Sequence, residues 1–308
     1  MKIAVIGAGL IGKSWAVVFA RAGFQVQLWD GLPEVRERAL SDIAKTMDAL
    51  HQMGLMGNPE KFIKLVTVFD DVVDAVKGVS YIQENLPEVL EIKRDIFSKL
   101  LAATADDVVI ATSTSGIKMS DIASEMKGRE RCLVSHPVNP PHLVPLVEIC
   151  GAAFTDQKAV NFAFDLMKQV NQKPIKLKKE IDGFILNRLQ GALLREAFWL
   201  YEQGYADGAS IDLTISDGLG LRWSFMGPFE TIDLNAPKGL ADYCARYGQM
   251  YADMASNIGG AENWSEPLVA NLHNERREKL DIADIPKRSQ WRDQRLMALV
   301  KHKQDSQT

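Results

Sequence analysis

The sequence predicts an α/β fold, with a doubly wound, mostly parallel β-sheet domain over residues 1–182 followed by an all-helical C-terminal domain over residues 183–308. In the first half, short apolar runs rich in β-branched residues alternate with segments of helical periodicity. This alternation is typical of a parallel sheet covered by helices on both faces. After Gly183 the periodicity is helical throughout. The chain has 308 residues, which suits two domains.

The predicted strands are short apolar runs bounded by turn residues, at 3–6, 25–29, 79–83, 108–111 and 131–135, with 146–149 and 174–177 extending the sheet. Helices are predicted between them at 11–22, 35–53, 91–103, 119–125 and 159–170. In the second half they are predicted at 184–203, 211–219, 239–257, 267–279 and 288–301.

The first predicted strand leads into a G-x-G-x-x-G turn that opens the first helix. Gly7 permits the tight turn, Gly9 lets the backbone approach a pyrophosphate, and Gly12 allows the helix to pack closely on the strand. Leu10 and Ile11 lie at the helix start, where free N–H groups attract phosphate. The pattern predicts a Rossmann-type nucleotide-binding domain, the alternative being a glycine-rich turn without a ligand.

Asp30 ends the second predicted strand, about 20 residues after the glycine turn, as the dinucleotide fingerprint requires. A carboxylate there accepts hydrogen bonds from the adenosine ribose and repels a 2′-phosphate. No arginine follows Asp30 directly, and the next one is Arg36. We therefore predict NAD, rather than NADP, as the cofactor.

Composition excludes several other classes of protein. Hydrophobic residues make up 46% and charged residues 25% of the chain, which is ordinary for a globular protein. A net charge of −4 argues against nucleic acid or an anionic membrane as a partner, and no apolar run reaches transmembrane length. The cysteines Cys132, Cys150 and Cys244 are scattered. We therefore expect a cytoplasmic protein with reduced thiols and without a metal site.

Four polar residues, in or next to predicted strands or at the start of the helical half, are candidates for catalysis. Ser115 follows a predicted strand, His136 ends another, and Glu148 comes twelve positions after His136. Asn187 lies at the start of the helical half. Oxidation of an alcohol requires a base for the hydroxyl proton, which we assign to His136, with Glu148 as its orienting partner. Ser115 and Asn187 are then candidate ligands of the substrate oxygen.

Each of these residues also has a structural interpretation. A histidine beside prolines is often a turn residue, a serine after a strand can cap a helix, and a strand carboxylate can be solvated. Their co-occurrence with a cofactor loop favours the catalytic interpretation.

The motifs together resemble the L-3-hydroxyacyl-CoA dehydrogenase family. They are T-S-T-S, then H-P-V-N-P-P with the glutamate twelve positions on, then G-F-I-L-N-R-L and M-G-P-F-E, in the family's order. The resemblance implies an active site of Ser115, His136, Glu148 and Asn187. It also implies that Glu88, after Q-E-N-L-P, reaches the nicotinamide-side ribose, assisted by Lys93. A helix start with an exposed ion pair is the alternative interpretation of Glu88 and Lys93.

The substrate is expected to be a small anionic 3-hydroxy acid. CoA-using members of the family usually carry several lysines on the long helix after the second strand, whereas residues 42–53 here contain one lysine and two aspartates. The run G-L-R-W-S-F-M-G-P-F-E resembles the lambda-crystallin branch, whose members act as L-gulonate 3-dehydrogenase. Arg222 in this run is a candidate carboxylate ligand or an ion-pair residue.

Alternatives remain open at this point. The carnitine dehydrogenase branch carries a similar L-R-W-x-x-M-G run, and use of an acyl-CoA substrate such as 3-hydroxybutyryl-CoA is the enzyme runner-up. An NAD-binding structural protein of the crystallin kind is the non-enzyme alternative, although such a protein has no chemical need for the four polar residues. The apolar faces of the helical half and the resemblance both imply a homodimer.

Overall fold

The computed structural model describes residues 1–255 and 265–305. An eight-stranded sheet forms its centre, in the order β3-β2-β1-β4-β5-β6-β7-β8. The strands are β1 (Lys2–Ile6), β2 (Gln25–Trp29), β3 (Val66–Val68), β4 (Tyr81–Glu84), β5 (Val109–Thr112), β6 (Cys132–Pro137), β7 (Leu146–Gly151) and β8 (Lys173–Lys176). The first six run parallel, β7 is antiparallel to β6, and β8 is parallel to β7. The predicted Rossmann-type, mostly parallel sheet is confirmed.

The helices that connect these strands are α1 (Leu10–Arg21), α2 (Pro33–Gln52), α3 (Pro59–Ile63), α4 (Val72–Ala75), α5 (Leu90–Ala103), α6 (Met119–Ala123) and α7 (Gln157–Gln169). After β8 the described chain continues as α8 (Leu186–Glu202), α9 (Gly208–Leu213), a π-helix (Thr214–Leu219), α10 (Gly220–Trp223), α11 (Pro228–Leu234), α12 (Leu240–Ala255), α13 (Glu266–Lys279) and α14 (Ile285–Asp305). The end of the helix predicted at 239–257 lies outside the described residues.

Both faces of the sheet are buried, and successive strand residues point to opposite faces. Ile3 and Val5 pack in one apolar cluster with Trp15 of α1 and Met47 of α2. The neighbouring positions Ala4 and Ile6 pack in a second cluster, with α5 and α6. Continuous apolar strands of this kind require helices on both sides, which explains the doubly wound arrangement.

By its internal contacts the chain divides into two compact units. The first comprises Met1–Arg188 together with the chain from Ser289 onward, and the second is Leu189–Arg288. The return of the C-terminal segment differs from the sequence expectation, which kept residues 183–308 together. The cause is Met297 of α14, which is buried in the core of the first unit. The functional boundary between residues 182 and 183 stays a prediction.

Candidate active site

The glycine turn has the geometry that close approach of a ligand requires. Gly7 has φ +95°, and a Cβ there would lie 2.8 Å from the carbonyl carbon of Asn85. A Cβ on Gly12 would lie 1.7 Å from the Gly7 carbonyl oxygen, so only glycine fits. A Cβ on Gly9, by contrast, would meet no described atom within 4 Å. The backbone at Gly9 is therefore open to a ligand, as the pyrophosphate of NAD needs.

The start of α1 completes this cradle. Gly9 is the N-cap and has no side chain to satisfy the first free N–H groups of the helix. Leu10 is 66% exposed although it is apolar, while Ile11 is partly buried. Free N–H groups at a helix start beside an open glycine backbone suit a diphosphate, so these residues fit NAD.

Asp30 is buried at the end of β2, beside the glycine turn. Its Oδ2 accepts a hydrogen bond from the N–H of Ala8 at 2.6 Å, and its Oδ1 accepts one from the N–H of Leu32 at 2.9 Å. The carboxylate therefore holds the glycine turn, and each oxygen retains an acceptor position for a ribose hydroxyl. Arg36 donates to the Asp30 carbonyl oxygen at 2.7 Å and to Asp70 at 3.2 Å, which engages its guanidinium.

His136 and Glu148 are opposite each other in the antiparallel pair of β6 and β7. His136 Nδ1 is 2.8 Å from Glu148 Oε2, and both side chains are buried. Glu148 Oε1 accepts hydrogen bonds from the backbone N–H groups of Ile185 and Leu186, at 2.9 and 3.1 Å. Burial disfavours the charged carboxylate, but the hydrogen bonds from His136, Leu186 and Ile185 hold the pKa of Glu148 below its usual range. A neutral His136 that donates from Nδ1 keeps Nε2 as a proton acceptor.

Phe184 fixes this arrangement from the chain segment before α8. Its backbone has φ +51°, in the left-handed region, and its side chain is fully buried. The centre of its ring lies 5.5 Å from that of His136. A non-glycine residue in this region is strained, and the strain is offset here by packing and by the two N–H groups aimed at Glu148.

Ser115 and Asn187 are brought together. Asn187 Nδ2 donates to the backbone carbonyl oxygen of Ser115 at 2.7 Å, and Ser115 is exposed. Asn187 is in the first turn of α8, directly after the N–H groups that bind Glu148. The predicted catalytic residues thus form two contacting pairs, His136 with Glu148 and Asn187 with Ser115, and the chain segment 185–187 connects them.

Glu88 and Lys93 do not form the exposed ion pair of the alternative interpretation, because Lys93 is buried. Lys93 is 1% exposed, with Nζ 3.1 Å from Glu84 Oε2 and 3.6 Å from Glu88 Oε2. Glu88 Oε1 accepts hydrogen bonds from the Thr114 hydroxyl and from the N–H groups of Ser115 and Gly116. Burial disfavours ionisation of Glu88, but the Thr114 hydroxyl and Lys93 hold its pKa below the usual range.

Several hydrogen-bonded polar residues were not predicted from the sequence. Gln83 Nε2 donates to Ser113 Oγ at 2.7 Å and to the carbonyl oxygen of Ser135 at 3.1 Å. Ser14 Oγ is 2.5 Å from Nδ1 of His142, in the loop that follows β6. For Gln83 the available signal was a polar residue in a buried strand, which is costly to bury unless it is hydrogen-bonded.

Arg222 lies in the second unit, on α10. The segment before α10 is a π-helix, a rare conformation that is frequent at functional sites. Arg222 is exposed, and its charge acts on Tyr243 of α12, whose hydroxyl is 2.7 Å from that of Tyr251. Because Arg222 is exposed, its guanidinium is accessible within the second unit.

On α2, Lys45 is 3.7 Å from Asp42, which also binds Lys13 at 2.6 Å. The lysine predicted to stand alone on this helix is thus partly neutralised. Within residues 1–255 and 265–305, no group of three or more His, Cys, Asp or Glu side chains is arranged to hold a metal ion. Over the same part of the chain, the helices are too short or too polar to cross a bilayer.

The fold and site define a class of protein, an NAD-dependent dehydrogenase with a Rossmann-type cofactor domain. Residues 2–181 match the 3-hydroxyacyl-CoA dehydrogenase NAD-binding domain, and residues 183–281 match the C-terminal domain of the same family. The chain belongs to the 3-hydroxyacyl-CoA dehydrogenase family. The predicted family, NAD as the cofactor, and dehydrogenase action on a 3-hydroxy group are confirmed.

Among relatives, the chain is 38% identical to lambda-crystallin of Oryctolagus cuniculus, over 99% of this chain and 97% of that protein. It is 40% identical to L-carnitine dehydrogenase of Streptomyces griseus, over 77% of this chain and 70% of that protein. A solved structure of 5-formyl-3-hydroxy-2-methylpyridine 4-carboxylic acid 5-dehydrogenase, an NAD+-dependent dismutase, matches with a TM-score of 0.82 and 28% identity. That match covers 98% of this chain and 97% of the other.

Proposed function

We propose that the protein oxidises the 3-hydroxyl of a small L-3-hydroxy acid with NAD, and that L-gulonate, converted to 3-dehydro-L-gulonate, is the substrate. The observation that carries the chemistry is the buried His136–Glu148 pair, with a 2.8 Å contact. The contact of Asn187 with the Ser115 carbonyl oxygen supports it. The full-length similarity to lambda-crystallin, together with the motif resemblance, supports the choice of gulonate.

The residues of the site divide the work of alcohol oxidation. NAD, when bound, supplies the acceptor for the hydride that leaves the substrate carbon. Nε2 of His136 takes the hydroxyl proton as general base. Glu148 holds the imidazole in one tautomer and stabilises the imidazolium that forms, and its own position is fixed by Ile185 and Leu186. The Ser115 hydroxyl and the Asn187 side chain orient the substrate oxygen.

The residues proposed to hold NAD are the glycine turn and the two carboxylates near it. Gly7, Gly9 and Gly12, with Leu10 and Ile11 at the helix start, surround the diphosphate position. Asp30 binds the adenosine ribose. Glu88 faces the nicotinamide-side ribose, and Lys93 assists by holding Glu88 rather than by reaching solvent.

A small anionic substrate is supported by the charges of the chain. From Asp42 to its end, the long helix α2 offers one lysine, Lys45, and that side chain is already near Asp42. A CoA ester carries several phosphate charges, which would find little compensation there. Arg222 is proposed to bind the substrate carboxylate, because guanidinium and carboxylate match in two parallel hydrogen bonds.

The test is a steady-state comparison of the purified protein with L-gulonate, L-3-hydroxybutyrate, L-carnitine and 3-hydroxybutyryl-CoA. We expect the highest kcat/KM with gulonate. In Arg222→Met, KM for the acid should rise about tenfold or more, as expected for a lost bidentate pair. The matched control is Arg276→Met in the same unit, which loses only an exposed contact with Asp212. A high kcat/KM confined to the CoA ester would refute the choice of substrate.

A second candidate substrate is L-carnitine, favoured by the 40% identity to a carnitine dehydrogenase. Carnitine shares the 3-hydroxyl and the carboxylate, and differs by its quaternary ammonium group, which requires aromatic side chains or negative charge nearby. The same assay separates the two acids. A kcat/KM for carnitine well above that for gulonate would establish the carnitine assignment instead.

We also propose a homodimer formed through the second unit. Large apolar side chains there are exposed, including Phe229 at 76% and Phe225, Leu234, Leu213 and Leu221 at 60% or more. A concentration of such residues is typical of a protein–protein interface. Light scattering of the purified protein should give twice the 34.2 kDa of the chain. A mass of one chain at micromolar concentration would contradict this proposal.

A further inference from the structure

We infer that Glu84, at the end of β4, is a positioning residue that holds the loop carrying Ser115. Glu84 is fully buried, which is costly for a carboxylate unless it is paired and hydrogen-bonded. Its partners on the described chain are the N–H of Leu86, the Thr112 hydroxyl and the ammonium group of Lys93. This inference rests on the proposed role of Ser115 in binding the substrate.

The first connection from Glu84 to the loop passes through Thr112. The hydroxyl of Thr112 donates to Glu84 Oε2, and Thr112 Oγ1 in turn accepts a hydrogen bond from the N–H of Thr114 at 3.1 Å. With its proton committed to Glu84, the Thr112 oxygen presents a lone pair to the loop. Thr114 is thereby fixed one residue before Ser115.

The second connection passes through Lys93. Its Nζ lies between the two carboxylates, 3.1 Å from Glu84 Oε2 and 3.6 Å from Glu88 Oε2. Glu88 in turn accepts hydrogen bonds from Ser115 N–H at 2.9 Å and Gly116 N–H at 3.0 Å. The three charged groups form a chain in which Glu84 anchors Lys93 and Lys93 holds Glu88 against the loop.

The two connections converge on residues 114–116, of which Thr114 is buried and Ser115 and Gly116 are exposed. Glu84 is remote from solvent and Ser115 is exposed, so Glu84 acts on the substrate through these intermediates and not by contact. Without the Glu84 charge, Lys93 loses its buried counterion, and both the Thr112 and the Glu88 contacts lose their fixed partner. The expected result is a correctly folded enzyme with a loosened Ser115 loop.

The test compares full-length Glu84→Gln with Asp95→Asn and Ser115→Ala. Asp95→Asn removes an exposed ion pair with Lys99 and serves as the matched control. Asp95 lies on α5, the helix that carries Lys93. Amide hydrogen exchange of the free protein, read on a peptide covering residues 112–118, should be about tenfold faster in Glu84→Gln and unchanged in the control. With the best substrate of the wild type, kcat/KM should fall about 100-fold.

The outcomes are distinguishable. A lower melting temperature for Glu84→Gln, with unchanged exchange at 114–116 and unchanged kcat/KM, would make Glu84 merely structural and overturn the inference. If Glu84→Gln does not fold, Glu84→Asp, which keeps the charge on a shorter side chain, should show the same two changes in smaller measure. No change in that variant would equally overturn it. Full activity in Ser115→Ala would instead remove the proposed role of Ser115, independently of the exchange result.

Discussion

His142 provides the sharpest prediction about stability, because its part-buried hydrogen bonds link two distant parts of the chain. Its backbone N–H donates to Ser14 Oγ at 3.2 Å, and Ser14 Oγ lies 2.5 Å from Nδ1 of His142. In the neutral tautomer that carries its proton on Nε2, the Ser14 hydroxyl donates to Nδ1. Arg21 donates to the carbonyl oxygen of His142 at 2.9 Å. Burial, reinforced by the charge of Arg21, lowers the pKa of His142 from 6.5 to about 4. Protonation of Nδ1 would deprive the Ser14 hydroxyl of its acceptor.

The pH dependence follows from the direction of this shift. The unfolded chain takes up the His142 proton below about pH 6.5, whereas the folded chain does so only near pH 4. The folded state is therefore fully favoured above pH 6.5 and loses about 1.4 kcal/mol per pH unit between the two values. The total loss attributable to His142 is about 3 kcal/mol, a large share of the stability of an ordinary domain.

The assay is urea unfolding at pH 7, 6, 5 and 4.5, followed by circular dichroism, for the wild type and His142→Asn. Asparagine offers an acceptor oxygen near the position of Nδ1 and does not titrate. The free energy of unfolding of the wild type should fall more steeply between pH 6.5 and 4.5 than that of the variant. Parallel curves for the two proteins over this interval would refute the reasoning, whatever the difference in their absolute stabilities.

The remaining predictions concern the cofactor loop and the base. Gly9→Ala should leave the melting temperature unchanged but weaken NADH binding, because its Cβ points into open space, whereas Gly12→Ala should lower both, since its Cβ collides with backbone. Equal melting temperatures for the two would contradict this. Asp30→Asn should weaken NAD binding relative to NADP, measured as the ratio of their KM values, and an unchanged ratio would remove Asp30 from cofactor selection. His136→Ala should lower kcat by about 10²–10⁴-fold with NADH affinity kept, and full turnover would refute its role as base.

Much of the sheet was predictable because long-range burial leaves a local signal. All strands of the described sheet except β3 were predicted at about their observed positions, most of them from apolar runs between turns. β3 was missed because it has three residues at the sheet edge, of which only Val66 is buried. The short helices α3 and α4 were missed for the same reason, since a single turn shows no periodicity.

The site was predictable where chemistry and strand ends coincide. His136 and Glu148 could be proposed because His136 closes one apolar run, Glu148 lies within the next, and their side chains suit proton transfer. The contacts that hold them depend on residues brought together only by folding. Ser14 and His142 are 128 residues apart in the sequence, and nothing local marks them as partners. Lys93 was interpreted without Glu84, because burial of a charge depends on what surrounds it.

The register between β6 and β7 determines which insertions and deletions in these strands the site can tolerate. Because these strands are antiparallel and His136 is directly opposite Glu148, the two side chains share a face of the sheet. A slip of one residue in either strand would turn one of them to the other face and separate base from carboxylate entirely. Whether base and carboxylate meet therefore depends on the pairing of the two strands rather than on the length of the loop between them. A one-residue deletion inside β7 is therefore expected to leave a sheet but to abolish the activity.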